Sequence, residues 1–242
     1  MEIKIFKEID SLLNALADEI VKVSKEAIAK KGRFDLVLSG GSSPKKLYEL
    51  LASEKFKNKI QWSKTFFFFG DERFVPEDDA QRNSLMAKTT LFDALKIPTS
   101  NIFLVDTSRS PENSAKKYMD MIKDHFGEKP IEFDLNLLGL GDNSHTASLF
   151  PFTSVLNETE ATIRSVFVEE VNSYRITMTA PLINRSKNIA FLVFGKGKAE
   201  AVANILENSQ GSVEEFPAKL IDSEHTIWFL DEDAASEINK KV

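Results

Sequence analysis

The sequence predicts an α/β fold in which strands and helices alternate along the chain. Short apolar runs such as Phe34–Leu38 and Thr65–Phe69 have the length and composition of buried strands. A third run, 133–140, is broken by glycines and reads as a buried strand entering a tight turn. No repeat, low-complexity linker or change of composition marks a second domain, so we expect residues 1–242 to form a single domain.

Composition narrows the class of protein. With 42% hydrophobic and 28% charged residues among 242, the chain is typical of globular proteins. The absence of cysteine excludes disulfides and thiolate metal sites. A net charge of −6 argues against non-specific nucleic-acid binding, which needs a basic surface. Neither a leader sequence nor an apolar run near 18 residues is present, so we expect a cytoplasmic protein that does not contact membranes.

The first half of the chain predicts a regular succession of elements. Strand Glu2–Phe6 precedes apolar residues at helical spacing from Ile9 to a C-terminal cap at Gly32. The elements that follow are strand Phe34–Leu38, a helix from about Pro44, strand Thr65–Phe69, a helix over 83–95, a strand over 101–105 and helix Pro111–Phe126. Charges on this last helix are interpreted as a solvated face, with His125 near its C-terminal end interacting with the helix dipole.

The second half predicts mainly strands. Their expected limits, after the strand in 133–140, are 161–168, 174–179, 189–194 and 226–230. A helix over 199–207 and a short helical turn over 217–221 complete the series.

Two of the predicted strands are followed by loops suited to bind an anion. The segment Ser39, Gly40, Gly41, Ser42, Ser43, Pro44 joins a strand to a helix, an arrangement in which glycines and helical N–H groups can cradle phosphate. The alternative is a tight turn that merely needs glycine conformations. Another strand ends in 195–198, where Lys198 at a helix start opposes the dipole and is better explained by a bound anion.

The loop after the central strand holds five consecutive polar residues: Asp142, Asn143, Ser144, His145 and Thr146. Ligands of open α/β sheets bind beyond the carboxyl ends of strands, where this loop falls. The alternative is a simple turn in which Asn143 or Ser144 caps a helix and His145 is ordinary surface. Asp71, Glu72 and Arg73 also follow a strand, either as solvated loop residues or as part of a site.

Taken together, five motifs resemble the 6-phosphogluconolactonase family, which shares a superfamily with glucosamine-6-phosphate deaminases. They are SGGSSP (39–44), GDERFVP (70–76), GLGDNSHTASLFP (139–151), RITMT (175–179) and GKGKA (195–199). The resemblance implies a modified Rossmann-like, doubly wound and mostly parallel sheet with helices on both faces. It also implies hydrolysis of 6-phosphogluconolactone in the oxidative pentose phosphate pathway, without a metal or organic cofactor. We expect a monomer or weak homodimer whose partner is this small phosphorylated sugar lactone.

The chain departs from the family pattern at the central loop. The family has Asp-Gly before the histidine, whereas this chain has Asn143-Ser144 and carries Asp142 one position earlier. Asparagine can supply a hydrogen bond but no charge, and serine restricts a turn that glycine would adopt freely. Arg82 replaces a family serine, either adding positive charge near the pocket or facing solvent.

The residues support acyl transfer from the lactone to water. His145 is the best general acid or base because imidazole titrates near neutral pH. Arg73 could bind the developing negative charge, and Asp71 is a second candidate for proton transfer. The Ser39 to Ser43 loop, Asn143, Arg175 and Lys198 are the predicted contacts to the substrate and its phosphate. A triad with Ser144 or Ser148 as nucleophile is less favoured, because no G-x-S-x-G elbow occurs.

Two other functions stay open from the sequence. A sugar-phosphate deaminase would, by resemblance, need a glutamate one residue before the proline that ends the central motif, and Phe150 occupies that position. A non-catalytic sugar-phosphate sensor is made plausible by Asn143-Ser144, although His145 and Arg73 are both present.

Overall fold

The computed structural model describes residues 1–222 and 224–239. Its main element is a six-stranded parallel sheet. The strands of this sheet are β1 (Glu2–Phe6), β2 (Phe34–Leu38), β3 (Thr65–Phe69), β5 (Leu135–Leu138), β8 (Ile189–Val193) and β9 (Thr226–Asp231). Their order across the sheet is β1-β9-β8-β5-β2-β3. The expected doubly wound, mostly parallel α/β fold is therefore confirmed.

Each strand of the sheet contributes alternate side chains to its two faces. In β2, Leu36 and Leu38 belong to one buried cluster and Val37 to the other, as the two-residue period of a strand requires. The first cluster is covered by α1 (Ile9–Lys31), α2 (Ser42–Ala52) and the helical segment that begins with α3 (Asn83–Ala87). Both faces are thus buried, which explains why the strands are almost continuously apolar.

The other face is covered by α5 (Pro111–Phe126), α6 (Ala180–Ile183), α7 (Ala199–Leu206) and a second sheet. That sheet is antiparallel and has the order β4-β7-β6, with β4 at Asp71–Arg73, β6 at Ile163–Val168 and β7 at Ser173–Met178. The small sheet was not expected. Asp71–Arg73, considered above as loop, is in fact a short strand paired with β7.

The predicted strand over 101–105 is wrong. Thr99–Asn101 forms a 3-10 turn, and only Ile102 pairs with β3, as an isolated bridge to Phe67. Side-chain hydrogen bonds hold this segment instead: Asn101 donates to the carbonyls of Ser63 and Thr65 beside it, and the Arg82 guanidinium donates to the carbonyl of Val105. The segment therefore does not extend the sheet beyond β3.

The helix predicted over 83–95 is present, but its middle turn is π-helical rather than α-helical. Asn83–Ala87 (α3) continues into a π-helical turn at Lys88–Phe92 and a last α-helical turn, α4 (Asp93–Leu95). Lys96, with a φ of 53°, ends the run. In the part of the chain that is described, no helix is long and apolar enough to cross a membrane.

Candidate active site

The strand order creates a crevice between β2 and β5. The chain leaves β2 for its neighbour β3 on one side, and later leaves β5 for β8 on the other side. Loops on either side of such a reversal diverge, which is where open α/β sheets bind ligands. The four loops singled out in the sequence follow β3, β2, β5 and β8. These strands are parallel neighbours, so the loops lie side by side at the carboxyl ends of the strands.

The loop after β2 is shaped by two glycines and a buried tyrosine. Gly41 has a φ of 104°, and a Cβ on Gly40 would lie 1.9 Å from the Asn83 side-chain oxygen. The Tyr48 hydroxyl accepts from the Ser39 N–H at 3.0 Å and donates to its carbonyl at 2.8 Å. Ser42 and Ser43 form the first turn of α2, whose N-terminal cap makes no side-chain hydrogen bond. This geometry is suitable for an anion at the helix N-terminus.

Backbone strain is concentrated in the loop after β5. Five non-glycine residues with positive φ occur in the described chain, and three of them lie here: Ser144 (65°), Ala147 (47°) and Phe152 (59°). The Gly141 N–H donates to the carbonyl of His145 at 2.8 Å, so the loop folds back on itself. Such strain is characteristic of functional loops that the surrounding structure holds in place.

His145 is held between an amide and an aromatic ring. Its Nδ1 lies 2.6 Å from Oδ1 of Asn143, and its ring stacks on Phe150 with centroids 3.9 Å apart. A Cβ on Gly141 would come within 2.1 Å of Nδ1, so glycine is needed beside the ring. Among the described residues, none makes a hydrogen bond to Nε2.

The surroundings keep His145 neutral. Burial lowers its pKa to about 4, and the positive charges of Lys198, Arg175 and Arg73 add to the effect, while Asp142 opposes it. The imidazole is therefore a proton acceptor at neutral pH. The three cations predicted from separate motifs therefore all act electrostatically on this one ring.

The cations are held in different ways. Arg73 and Arg175 are directly opposite in the β4–β7 pair, and Arg175 is buried. Burial and the charge of Arg73 lower the pKa of Arg175. Arg73 donates to the carbonyl of Gln81 at 2.7 Å, and Lys198 forms an ion pair with Asp142.

The two acidic residues of segment 70–73, Asp71 and Glu72, face inward. Asp71 accepts from the Ser148 hydroxyl at 2.7 Å and from the Asn83 side chain at 3.3 Å. Glu72, which is fully buried, accepts from the first N–H groups of α3, those of Asn83 (2.7 Å) and Ser84 (2.9 Å). Burial raises the pKa of Glu72 although these hydrogen bonds oppose the change. Glu72 is thus an N-terminal partner of α3 rather than a solvated side chain.

Two interpretations from the sequence need correction. Arg82 is 4% exposed and so does not face solvent; it donates to Ser84, to Thr107 and to the carbonyl of Val75. The hydroxyl of Ser148 is directed to Asp71, and the described contacts of His145 include no serine hydroxyl, so the structure does not assemble a serine triad.

Glu170 was missed by sequence reasoning. It accepts from the side-chain amide of Asn143 at 2.6 Å, although it belongs to the turn between β6 and β7. Two adjacent glutamates in a turn carry no spacing that distinguishes one of them. No group of three or more His, Asp or Glu side chains that could hold a metal ion occurs within the described residues.

An α/β fold with glycine-rich loops suited to an anion, and a neutral histidine where the strand order reverses, is typical of enzymes that act on small molecules. The sequence profile of the family described as glucosamine-6-phosphate isomerases/6-phosphogluconolactonase matches residues 7–228. The chain belongs to this family.

Individual relatives share its length and fold. The 6-phosphogluconolactonase of a Nostoc strain is 37% identical, with 98% of each chain covered. That of Mycobacterium tuberculosis is 33% identical over 98% of each chain. The solved 6-phosphogluconolactonase of Thermotoga maritima is 29% identical, with 95% of this chain and 99% of that one covered, and superposes with a TM-score of 0.82.

Proposed function

We propose that this chain hydrolyses 6-phospho-D-glucono-1,5-lactone to 6-phosphogluconate in the oxidative pentose phosphate pathway, as its relatives are named for doing. The observation that carries the proposal is His145, a neutral histidine with Nε2 open and three cations around it. A neutral imidazole can take a proton from water, and cations suit a phosphorylated substrate. We place the enzyme in the cytoplasm, as a monomer or weak homodimer.

The proposed reaction is a direct attack by water. Nε2 of His145 accepts a proton while the water oxygen bonds to the lactone carbonyl carbon, giving a tetrahedral oxyanion. Arg73 stabilises this negative charge. As the carbonyl re-forms, the bond to the ring oxygen breaks, and His145 returns its proton to that oxygen. The atoms balance without a covalent enzyme intermediate. Transfer of a proton by Asp71 stays a prediction, and its hydrogen bonds to Ser148 and Asn83 also suit a supporting role.

We assign the phosphate to the loop of Ser39 to Ser43, Arg175 and Lys198. The loop offers N–H groups at the start of α2, and the two cations can make charge-assisted hydrogen bonds. Lys198 is now paired with the exposed carboxylate of Asp142, so the phosphate would take the place of this carboxylate or share the lysine with it.

Phe150 argues against sugar-phosphate deamination. It occupies the position at which deaminases of the superfamily are expected to have a glutamate, and its ring covers one face of His145. A phenylalanine cannot exchange protons with a sugar. The sensor alternative has no specific support from the geometry, because the open nitrogen of His145 is more useful for catalysis than for binding alone.

The decisive experiment compares two substrates in a coupled assay. Freshly prepared 6-phosphogluconolactone and unphosphorylated gluconolactone are offered to the wild type, Lys198→Ala and Arg175→Ala, with glucosamine 6-phosphate run alongside. Each substitution should raise KM for the phosphorylated lactone by about 10- to 100-fold, because charge-assisted hydrogen bonds contribute roughly 1.5–3 kcal/mol. The unphosphorylated lactone should be affected little.

Lys196→Ala is the matched control, since Lys196 is an exposed lysine two positions away. It should leave both KM values near those of the wild type. Equal losses on both substrates in Lys198→Ala or Arg175→Ala would assign these residues to folding. Turnover of glucosamine 6-phosphate without lactone hydrolysis would overturn the proposed function itself.

A further inference from the structure

Three side chains form a hydrogen-bonded series that ends at the histidine. The Glu170 carboxylate lies 2.6 Å from Nδ2 of Asn143, and Oδ1 of the same amide lies 2.6 Å from Nδ1 of His145. The backbone N–H of His145 also donates to this Oδ1, at 3.2 Å. Glu170 belongs to the turn between β6 and β7, while the other two residues belong to the loop after β5.

The chemistry of these groups determines where each proton lies. An ionised carboxylate only accepts hydrogen bonds, so the group that faces Glu170 must be the NH₂ of Asn143. The amide oxygen then faces His145 and can only accept, which requires that Nδ1 carry the proton. A neutral imidazole has one proton, so Nε2 is left with its lone pair.

We propose that Glu170 is a positioning residue that selects the base form of His145, by orienting Asn143 so that Nδ1 is protonated and Nε2 is free. The role in turnover rests on the proposed lactone hydrolysis, in which Nε2 takes the proton from water. Glu170 itself contacts Asn143 and not His145, so it acts through the amide.

This arrangement explains how asparagine can stand where the family has aspartate. An aspartate beside His145 would accept from Nδ1 without any help, whereas an asparagine can present either its oxygen or its NH₂. Glu170 and the His145 backbone N–H remove this ambiguity from two sides. The negative charge is thereby kept one side chain farther from the imidazole, which stays neutral.

Other charged residues also affect the ring electrostatically and must be held constant in a test. They are Lys198 from the start of α7, Asp142 from the same loop, Arg175 from β7 and Arg73 from β4. Phe150 covers one face of the ring without a charge. Substituting Glu170 alone leaves all of these in place.

The test combines nuclear magnetic resonance with kinetics on the full chain. Two-bond ¹⁵N–¹H correlations of the imidazole rings report which nitrogen carries the proton, and His145→Gln identifies the signal among the three histidines. We expect the Nδ1–H form in the wild type. Glu170→Ala should increase the Nε2–H form and lower kcat by about 3- to 10-fold at unchanged KM. A decrease of this size corresponds to the loss of one hydrogen bond.

Glu170→Gln provides rescue, because its amide oxygen can still accept from Asn143. It should keep the wild-type tautomer and most of kcat. Glu169→Ala removes the same charge from the adjacent exposed residue and should change neither property.

The proposal is overturned if Glu170→Ala leaves the tautomer unchanged, or if Glu170→Gln loses as much kcat as Glu170→Ala. If Glu170→Ala does not fold, the Gln variant and the tautomer of the wild type decide the matter: an Nε2–H wild type would overturn the proposal. A Glu170-dependent tautomer in a protein that does not hydrolyse the lactone would support the positioning role and reject the proposed function.

Discussion

Two histidines at opposite ends of the sheet have different hydrogen-bonding partners. His125 lies near the amino end of β2, where its Nε2 donates to Asp35 at 2.8 Å. His145 lies beyond the carboxyl end of β5, where its Nδ1 faces the neutral amide of Asn143. His125 lies in the last turn of its helix, where the sequence predicts an interaction with the helix dipole, and the structure adds a specific carboxylate contact.

Their surroundings differ as much as their partners. The His125 ring is enclosed by the aromatic side chains of Phe66, Phe68, Phe103 and Phe126. Asp35 also binds Lys31 at 2.5 Å and Arg33 at 3.0 Å. Burial tends to raise the pKa of Asp35, but hydrogen bonds from His125 and Lys31 outweigh it and lower the pKa.

The difference teaches what makes a histidine available for chemistry. His125 is one member of a buried hydrogen-bond network, in which the Asp35 carboxylate accepts from its ring N–H and from Lys31 and Arg33. His145 has a partner without charge, cations nearby and one nitrogen with no described partner, so it can accept a proton and release it. Substitutions at the two sites should therefore affect different measurements.

The largest expected effect is on turnover. His145→Gln should lower kcat for 6-phosphogluconolactone by about 10²–10⁴-fold, the range for a positioned acid or base. Binding of the product, measured by calorimetry, and the melting temperature should change little. Near-normal kcat in this variant would move the proton transfer to Asp71 or another group.

His125→Ala should instead affect stability. It removes a ring whose side chain is 7% exposed and a hydrogen bond to Asp35, so the free energy of unfolding should fall by about 2–4 kcal/mol. Urea denaturation measures this loss, and kcat below the unfolding transition should stay close to that of the wild type. A stable but inactive His125→Ala would show that the two ends of the sheet are coupled, contrary to the comparison.

The elements that position both histidines could be predicted because their signal is local. β2 and β3 are almost continuous apolar runs, and α1 ends at a glycine whose φ of 80° fits a left-handed cap. The strand predicted over 101–105 failed because the segment starts in a 3-10 turn and the carbonyl of Val105 accepts from the distant side chain of Arg82. Pairing of Asp71–Arg73 with β7 joins segments about a hundred residues apart and leaves no local pattern.

The site was predictable to the same extent. Arg73, His145 and Lys198 lie at or after the ends of strands, and this placement, together with the family resemblance, grouped them with Arg175, which lies within β7. The contact of Glu170 with Asn143 depends on how the β6–β7 turn packs against another loop, which the residue types do not specify. The inward direction of Glu72 likewise depends on where α3 begins.

The comparison can be sharpened by giving His145 a carboxylate partner. Asn143→Asp should raise the pKa of His145 from about 4, because a nearby negative charge favours the imidazolium. If the neutral imidazole is the base, the acidic limb of the pH dependence of kcat/KM should move to higher pH. In the single variant the new carboxylate also lies beside the Glu170 carboxylate. The two like charges repel each other, so the pair tends to bind a proton that would otherwise be available to His145.

Asn143→Asp combined with Glu170→Gln removes this competition and should give the larger shift. The acidic limb is measured at several substrate concentrations on each variant. If the acidic limb of the pH dependence of kcat/KM is unchanged in the folded and active double variant, the side chain at position 143 does not influence the pKa of His145.

The smallest expected effect concerns the strain in the loop that holds His145. Ser144 has a φ of 65° and is buried, whereas the family has glycine at this position. A left-handed backbone conformation costs a residue with a Cβ roughly 1–2 kcal/mol, and glycine avoids this cost. Glycine is also more flexible in the unfolded chain, which offsets about 0.5–1 kcal/mol of the stability gained. Ser144→Gly should thus raise the free energy of unfolding by about 0.5–1 kcal/mol in urea denaturation, with kcat nearly unchanged.

Gly141→Ala is the matched substitution in the same loop. The added Cβ would lie 2.1 Å from Nδ1 of His145, so it displaces the ring, and we expect a clear loss of kcat. Opposite results at these two positions would show that the loop needs free space beside the imidazole more than it needs freedom at position 144. If Ser144→Gly destabilises the protein, the contacts of the buried serine outweigh its backbone strain, and the departure from the family glycine is a stabilising one.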